Sequence, residues 1–228
     1  MFSFILSPVA YGALRGLRNL TFTLALPFSV SSMAYAEPVT VFALGDSLTA
    51  GYGLPEGEGL VPQLNAWLDA QGADVTVLNG GVSGDTSAGG LSRLAWSLTP
   101  EVDALIVTLG GNDLLRGLQP TVTRDNIEAI LTEAQTRQLP VLLIGMAAPG
   151  NFGPEYKQAF DRLYPELARQ YGAQLVDSYF GLIDPDATDP GQISHYMQAD
   201  GIHPNAAGVK RAVESLGPQI LTLVEQLD

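Results

Sequence analysis

Val102-Asp-Ala-Leu-Ile-Val-Thr-Leu109 is a near-continuous apolar run, and it ends in Gly110-Gly111-Asn112-Asp113. A run of this length, rich in apolar and β-branched residues and bounded by glycine, reads as a buried strand. Comparable runs stand on both sides of it, at 39–45 and 73–78 before, and at 140–146 and 173–177 after. Longer amphipathic segments lie between them, near 59–71, 86–98, 123–138 and 154–171, and these read as helices. The helix over 123–138 has Asp125 and Glu128 in its first turns and Arg137 in its last, as the helix dipole favours. A last helix over 204–226 would carry Pro204 in its first turn and a kink at Gly217-Pro218. Strands alternating with helices mean crossover connections, and so a five-stranded parallel sheet with helices on both faces, an α/β fold in three α/β/α layers. No repeat or linker divides the chain after residue 36, and 37–228 reads as one domain.

In such a sheet the ligand site lies beyond the carboxyl ends of the strands. The first strand ends in Gly45-Asp46-Ser47 and the second leads through Asn79 to Gly84. The third ends in Gly110-Gly111-Asn112-Asp113, and the fourth near Ala147-Pro149-Gly150. Glycine and polar residues therefore collect where the topology opens.

Residues 1–36 are of another kind. They contain Arg15 and Arg18 but no acid, then an apolar stretch from Leu20 to Val30, then Ala34-Tyr35-Ala36. A basic region, an apolar core and a small-residue site mark a secretory signal peptide, and cleavage is expected after Ala36. The apolar core is too short for a membrane anchor and Pro27 interrupts it. The expected location is periplasmic or secreted, with no stable membrane insertion after cleavage. Removing 36 residues and these two arginines from 228 residues and 11 basic ones leaves 192 residues, with nine basic against 24 acidic. That balance opposes binding to nucleic acid or to anionic lipid. The absence of cysteine excludes thiol catalysis and Cys-based metal sites.

The chain has two histidines. His203 stands in Asp200-Gly-Ile-His-Pro-Asn205, where an Asp three residues earlier can reach the imidazole Nδ1 around a glycine turn. Such a pair fixes the tautomer and leaves Nε2 free to take a proton; the same residues also fit a helix cap. His195 has no such neighbour and reads as a surface or pocket-rim residue. Ser47 follows the first strand at a turn that can expose its Oγ and aim its backbone N–H at an oxyanion, although Asp46 or Ser47 also fits a helix cap. No Gly-x-Ser-x-Gly elbow is present. Gly84 offers a backbone N–H and Asn112 a side-chain amide for the same oxyanion; a flexible turn and an Asx turn are their plainer readings.

Four segments carry a resemblance: Gly45-Asp-Ser-Leu-Thr-Ala-Gly-Tyr-Gly-Leu54, Val82-Ser-Gly-Asp-Thr-Ser87, Leu109-Gly-Gly-Asn-Asp-Leu-Leu-Arg-Gly117 and Asp200-Gly-Ile-His-Pro-Asn205. In this order the chain resembles the SGNH (GDSL) hydrolase superfamily over 39–226, and within it bacterial arylesterases and the periplasmic acyl-thioesterase and lysophospholipase group. The resemblance implies a flavodoxin-like sheet, no metal or other cofactor, and a small-molecule ester or thioester as substrate. It implies Ser47 as nucleophile, His203 as acid and base, Asp200 as its orienting partner, and Ser47, Gly84 and Asn112 as the oxyanion donors.

Leu114, Leu115 and Leu118 follow Asn112, and Phe152 and Tyr156 follow the fourth strand; these five are the candidate lining of an apolar acyl cleft. Asp184, Asp186 and Asp189 lie in a Pro-rich turn without the glycine and glutamate of a calcium loop. No phosphate-binding glycine motif is present. Two other functions are weighed. A carbohydrate O-deacetylase is disfavoured by the leucines after Asn112. A noncatalytic exported binding domain predicts loss of Ser47, Asn112, Asp200 or His203, all of which are present.

Overall fold

A computed structural model of the chain describes residues 38–186 and 190–227. The expected leader over 1–36 lies outside the described residues, as does Asp189 of the acidic turn. Five strands, β1 (Val39–Gly45), β2 (Val75–Gly81), β3 (Ala104–Thr108), β4 (Val141–Ile144) and β5 (Gln174–Val176), form an all-parallel sheet in the order β2-β1-β3-β4-β5. All five residues of β3 are buried, which is why its sequence is apolar without alternation.

The helices are α1 (Ser47–Ala50), α2 (Leu60–Gln71), α3 (Ser87–Ser97), α4 (Gly111–Leu115), α5 (Pro120–Thr136), α6 (Pro154–Tyr171), α7 (Tyr179–Ile183) and α8 (Ala206–Val224). α2 and α7 pack on α8, whereas α3, α5 and α6 pack in succession as a second group. With right-handed crossovers, a strand order that reverses after β2 puts these two groups on opposite faces of the sheet. Each long helix buries a stripe of helical spacing; on α5 it is Ile127, Ile130, Leu131 and Ala134.

Several expected boundaries move. β2 runs on through Asn79-Gly80-Gly81, because β1 pairs with it residue for residue as far as Gly45 with Gly81. α5 starts at Pro120, a residue whose fixed φ suits a first turn. Pro204, by contrast, is not in the last helix. It pairs with Met197 in an antiparallel bridge, and Asn205 caps α8 by accepting from Gly208 N–H at 3.0 Å. α8 is continuous through Gly217-Pro218. Pro218 lacks the N–H that would bond the Glu214 carbonyl, and both residues lie on the exposed face of the helix. No helix among the described residues is long and apolar enough to cross a membrane.

The strand order reverses between β1 and β3, and there the sheet opens at its carboxyl edge. Gly45 is in register with Thr108, so the segments leaving these strands, which carry Ser47 and Asn112, emerge side by side.

Candidate active site

Asp46 caps α1: its Oδ1 accepts from Leu48 N–H at 3.0 Å. Ser47 is therefore the first residue of a one-turn helix, held at the end of β1 with its side chain half-buried. The other oxygen of Asp46 accepts from Asn112 Nδ2 at 3.1 Å. Burial pushes the Asp46 carboxyl up to about 6, against the opposing pull of the Leu48 N–H and the Asn112 amide.

The loop before α8 brings His203 to the serine. It is braced by Asn205, which donates to the carbonyls of His195 at 3.0 Å and Met197 at 3.2 Å. Gln198 Nε2 ties the loop to the Tyr52 carbonyl at 2.8 Å and the Pro204 carbonyl at 2.9 Å. Asp200 folds back around Gly201: Oδ1 accepts from the N–H groups of Ile202 at 2.9 Å and His203 at 3.0 Å. Its Oδ2 lies 2.7 Å from His203 Nδ1, and His203 Nε2 lies 2.9 Å from Ser47 Oγ. A carboxylate at Nδ1 selects the tautomer with the proton there, so Nε2 accepts from the serine hydroxyl. The bond to His203, with the two backbone N–H groups, holds the Asp200 carboxyl down at about 2. Tyr52 covers the imidazole, with ring centroids 4.6 Å apart.

Asn112 reaches the same place from β3. Gly110 turns the chain at φ +106, and a Cβ there would stand 2.1 Å from Tyr164 Oη, so only glycine fits this corner. Tyr164 fixes the corner from behind by donating to the Leu109 carbonyl at 2.9 Å. Asn112 spends one amide hydrogen on Asp46 and has a second to give.

Ser47, Gly84, Asn112 and His203 share one cleft of about 400 Å³. Most of its lining is apolar: Leu48, Leu114, Leu115, Met146, Ala147, Pro149, Phe152, Phe180 and Ile202 surround those four. The pattern of the GDSL-like Lipase/Acylhydrolase family matches residues 43–211, a span that contains all of these groups. The chain belongs to that family. It is 39% identical over 190 residues to Esterase TesA of Pseudomonas aeruginosa, covering 83% of this chain and 91% of the relative. It is 33% identical over 210 residues to Thioesterase 1/protease 1/lysophospholipase L1 of Escherichia coli, covering 90% and 96%. The crystal structure of the psychrotrophic esterase EstA from Pseudoalteromonas sp., inhibited by monoethylphosphonate, matches with a TM-score of 0.74 at 30% identity, covering 82% of this chain and 98% of that one. A GDSL-family chain with such relatives is a carboxylic ester hydrolase.

The structure thus brings Ser47, Gly84, Asn112 and His203 together, with Asp200 behind the histidine. Leu114, Leu115 and Phe152 line the cleft. Leu118 and Tyr156 do not. Tyr156 Oη donates to the Leu118 carbonyl at 2.8 Å, and its ring lies between those of Phe152 and Phe160, so the tyrosine stands behind Phe152 rather than in the wall. His195 is exposed, stands outside the cleft lining and lies against Tyr196 with the two rings tilted at 44°. Among the described residues no three His, Cys, Asp or Glu side chains converge as a metal site. The sequence reading missed Met146 and Phe180 in the wall. It also saw Asp46 as no more than a cap. Phe180 lies in α7, beyond the end of β5, where no glycine-rich motif marks the strand end in the sequence.

Proposed function

We propose that this hydrolase cleaves esters and thioesters of apolar acyl groups, including aryl esters and lysophospholipids, through an acyl-enzyme on Ser47. The observation that carries this reading is the unbroken chain Asp200–His203–Ser47, at 2.7 and 2.9 Å, opening on an apolar cleft. Ser47 Oγ attacks the acyl carbonyl and its proton passes to His203 Nε2. The tetrahedral oxyanion lies against the Ser47 and Gly84 N–H groups and the Asn112 amide. When the bond to the alcohol or thiol breaks, His203 returns the proton to that leaving group. Water then attacks the Ser47 ester with His203 again as base; the acyl–Oγ bond breaks, His203 returns the proton to Ser47 Oγ, and the acid departs. Asp200 keeps the imidazole oriented and stabilises the imidazolium. The leader over 1–36 delivers the protein to the periplasm or beyond, and 37–228 is the hydrolase domain.

The apolar wall supports acyl chains over acetyl-sugars, which need polar partners. The test is hydrolysis of p-nitrophenyl esters from acetyl to dodecanoyl. The expected profile peaks at medium chains. A profile confined to acetyl would instead support a deacetylase, and no turnover on any ester or acyl thioester would overturn the proposal.

A further inference from the structure

Gly84 sits at φ +86 in the loop between β2 and α3, and two arginines hold that loop from different elements. Arg93, on α3, donates through Nε to Asp85 Oδ2 at 2.7 Å and through Nη2 to the Gly45 carbonyl at 2.9 Å. Arg116, at the end of α4, donates through Nη2 to the carbonyl of Gly84 itself at 2.7 Å. Gly45 is the residue before Asp46-Ser47, and α4 is the helix that carries Asn112. Each arginine therefore links the Gly84 loop to the element that bears another of the three donors.

We propose that Arg93 and Arg116 are positioning residues that fasten the Gly84 loop to the Ser47 turn and the Asn112 helix, so that three N–H donors from three elements converge on one oxyanion. The proposal rests on the oxyanion reading given above and adds to it what holds the donors in place. An oxyanion donor is effective over a few tenths of an ångström, about 2.7–3.1 Å from the developing charge. The backbone supplies two bonds to this loop, Val82 N–H to the Gly45 carbonyl and Asp85 N–H to the Val82 carbonyl, both at 3.0 Å. Neither bonds the N–H or the carbonyl of Gly84 itself, although the Asp85 N–H shares a peptide plane with that carbonyl, and a glycine at positive φ has wide freedom of its own. The guanidinium is suited to the task. It is a rigid planar fork that can serve a carboxylate and a carbonyl at once, which an ammonium cannot do with the same geometry. The Arg93–Asp85 pair is only 23% and 19% exposed, so water competes weakly with it. Neither arginine lines the cleft, which makes both positioning rather than catalytic groups.

The test uses the full chain with Arg116→Met, which alters an exposed side chain, and Arg93→Lys, which keeps the charge but loses the fork. Each is assayed with p-nitrophenyl octanoate and with an alkyl trifluoromethyl ketone, which forms a tetrahedral oxyanion on the nucleophile. In both variants kcat falls roughly 10–100-fold, less than the 10²–10³ for outright loss of a donor. KM stays within about threefold, and the ketone weakens in proportion to the fall in kcat/KM, as for lost transition-state binding. Unchanged kcat and ketone affinity in both variants would overturn the proposal, as would a fall in kcat with no weakening of the ketone. Asn112→Ala is measured alongside. Weakened ketone binding there but not in the arginine variants overturns the arginine proposal alone. Undiminished binding in Asn112→Ala overturns the oxyanion reading and this proposal with it.

Discussion

His203 Nε2 stands 2.9 Å from Ser47 Oγ although 156 residues separate them in the chain. The contact depends on two anchored turns. One is the capped helix at the end of β1. The other is the loop of Met197–Pro204, closed by a bridge at its base and stitched by Asn205 and Gln198.

Asp200 acts on the serine only through the imidazole. Asp200→Asn keeps an oxygen for the Ile202 and His203 N–H groups, so the loop is retained, but it allows the wrong imidazole tautomer. The expected outcome is a fall in kcat of about 10⁴-fold with little change in KM, measured with p-nitrophenyl octanoate. A loss under tenfold would contradict the orienting role.

Asp46 and Asp200 leave opposite marks on stability against pH. The buried Asp46 carboxyl binds its proton at about 6, where the unfolded chain binds it near 3.8. Between those values the folded state holds the extra proton, so stability falls as pH rises from 3.8 to about 6. The limit of this effect is about 3 kcal/mol. Asp200 is lowered to about 2, so its contribution is full above 3.8 and is lost as pH falls towards 2. Urea unfolding of the parent and Asp46→Asn at pH 4, 5, 6 and 7 checks the first effect. The parent's stability relative to the variant declines up to pH 6 and is level beyond; a constant difference would contradict the burial of an ionising Asp46.

Phe180, on α7, forms part of the apolar wall of the cleft. Phe180→Ala removes apolar wall and lengthens the space available to an acyl chain. The ratio of kcat/KM for dodecanoyl over butanoyl esters is expected to rise by about tenfold, the scale set by one or two methylenes in an apolar pocket. An unchanged ratio would place the acyl chain elsewhere.

The long elements were legible because their patterns repeat often enough to be read. β3 is one apolar run and α5 carries its stripe over two turns. Helices α1, α4 and α7 were not legible, because four or five residues contain hardly more than one period. Asn79-Gly80-Gly81 reads as a turn, yet pairing with β1 makes it strand. The proposed reacting groups stand out in the sequence because Asp200 and His203 are local to each other and the four segments are distinctive together. The cleft wall was only partly so. Leu118 and Tyr156 have the right composition but stand outside the cleft lining, the tyrosine hydroxyl being engaged by the Leu118 carbonyl. The bonds from Arg93 to the Gly45 carbonyl and from Arg116 to the Gly84 carbonyl are not legible in the sequence, because no side-chain motif encodes a bond to a distant backbone carbonyl.

The central claim is that Ser47 is the nucleophile. The most direct measurement is peptide mass spectrometry of the chain after treatment with diethyl p-nitrophenyl phosphate, beside Ser47→Ala and His203→Ala. The account predicts one diethylphosphoryl group per chain on the peptide containing Ser47, complete loss of ester turnover with it, no label in Ser47→Ala and much slower labelling in His203→Ala. A label on another residue, or equal labelling of Ser47→Ala, would contradict it.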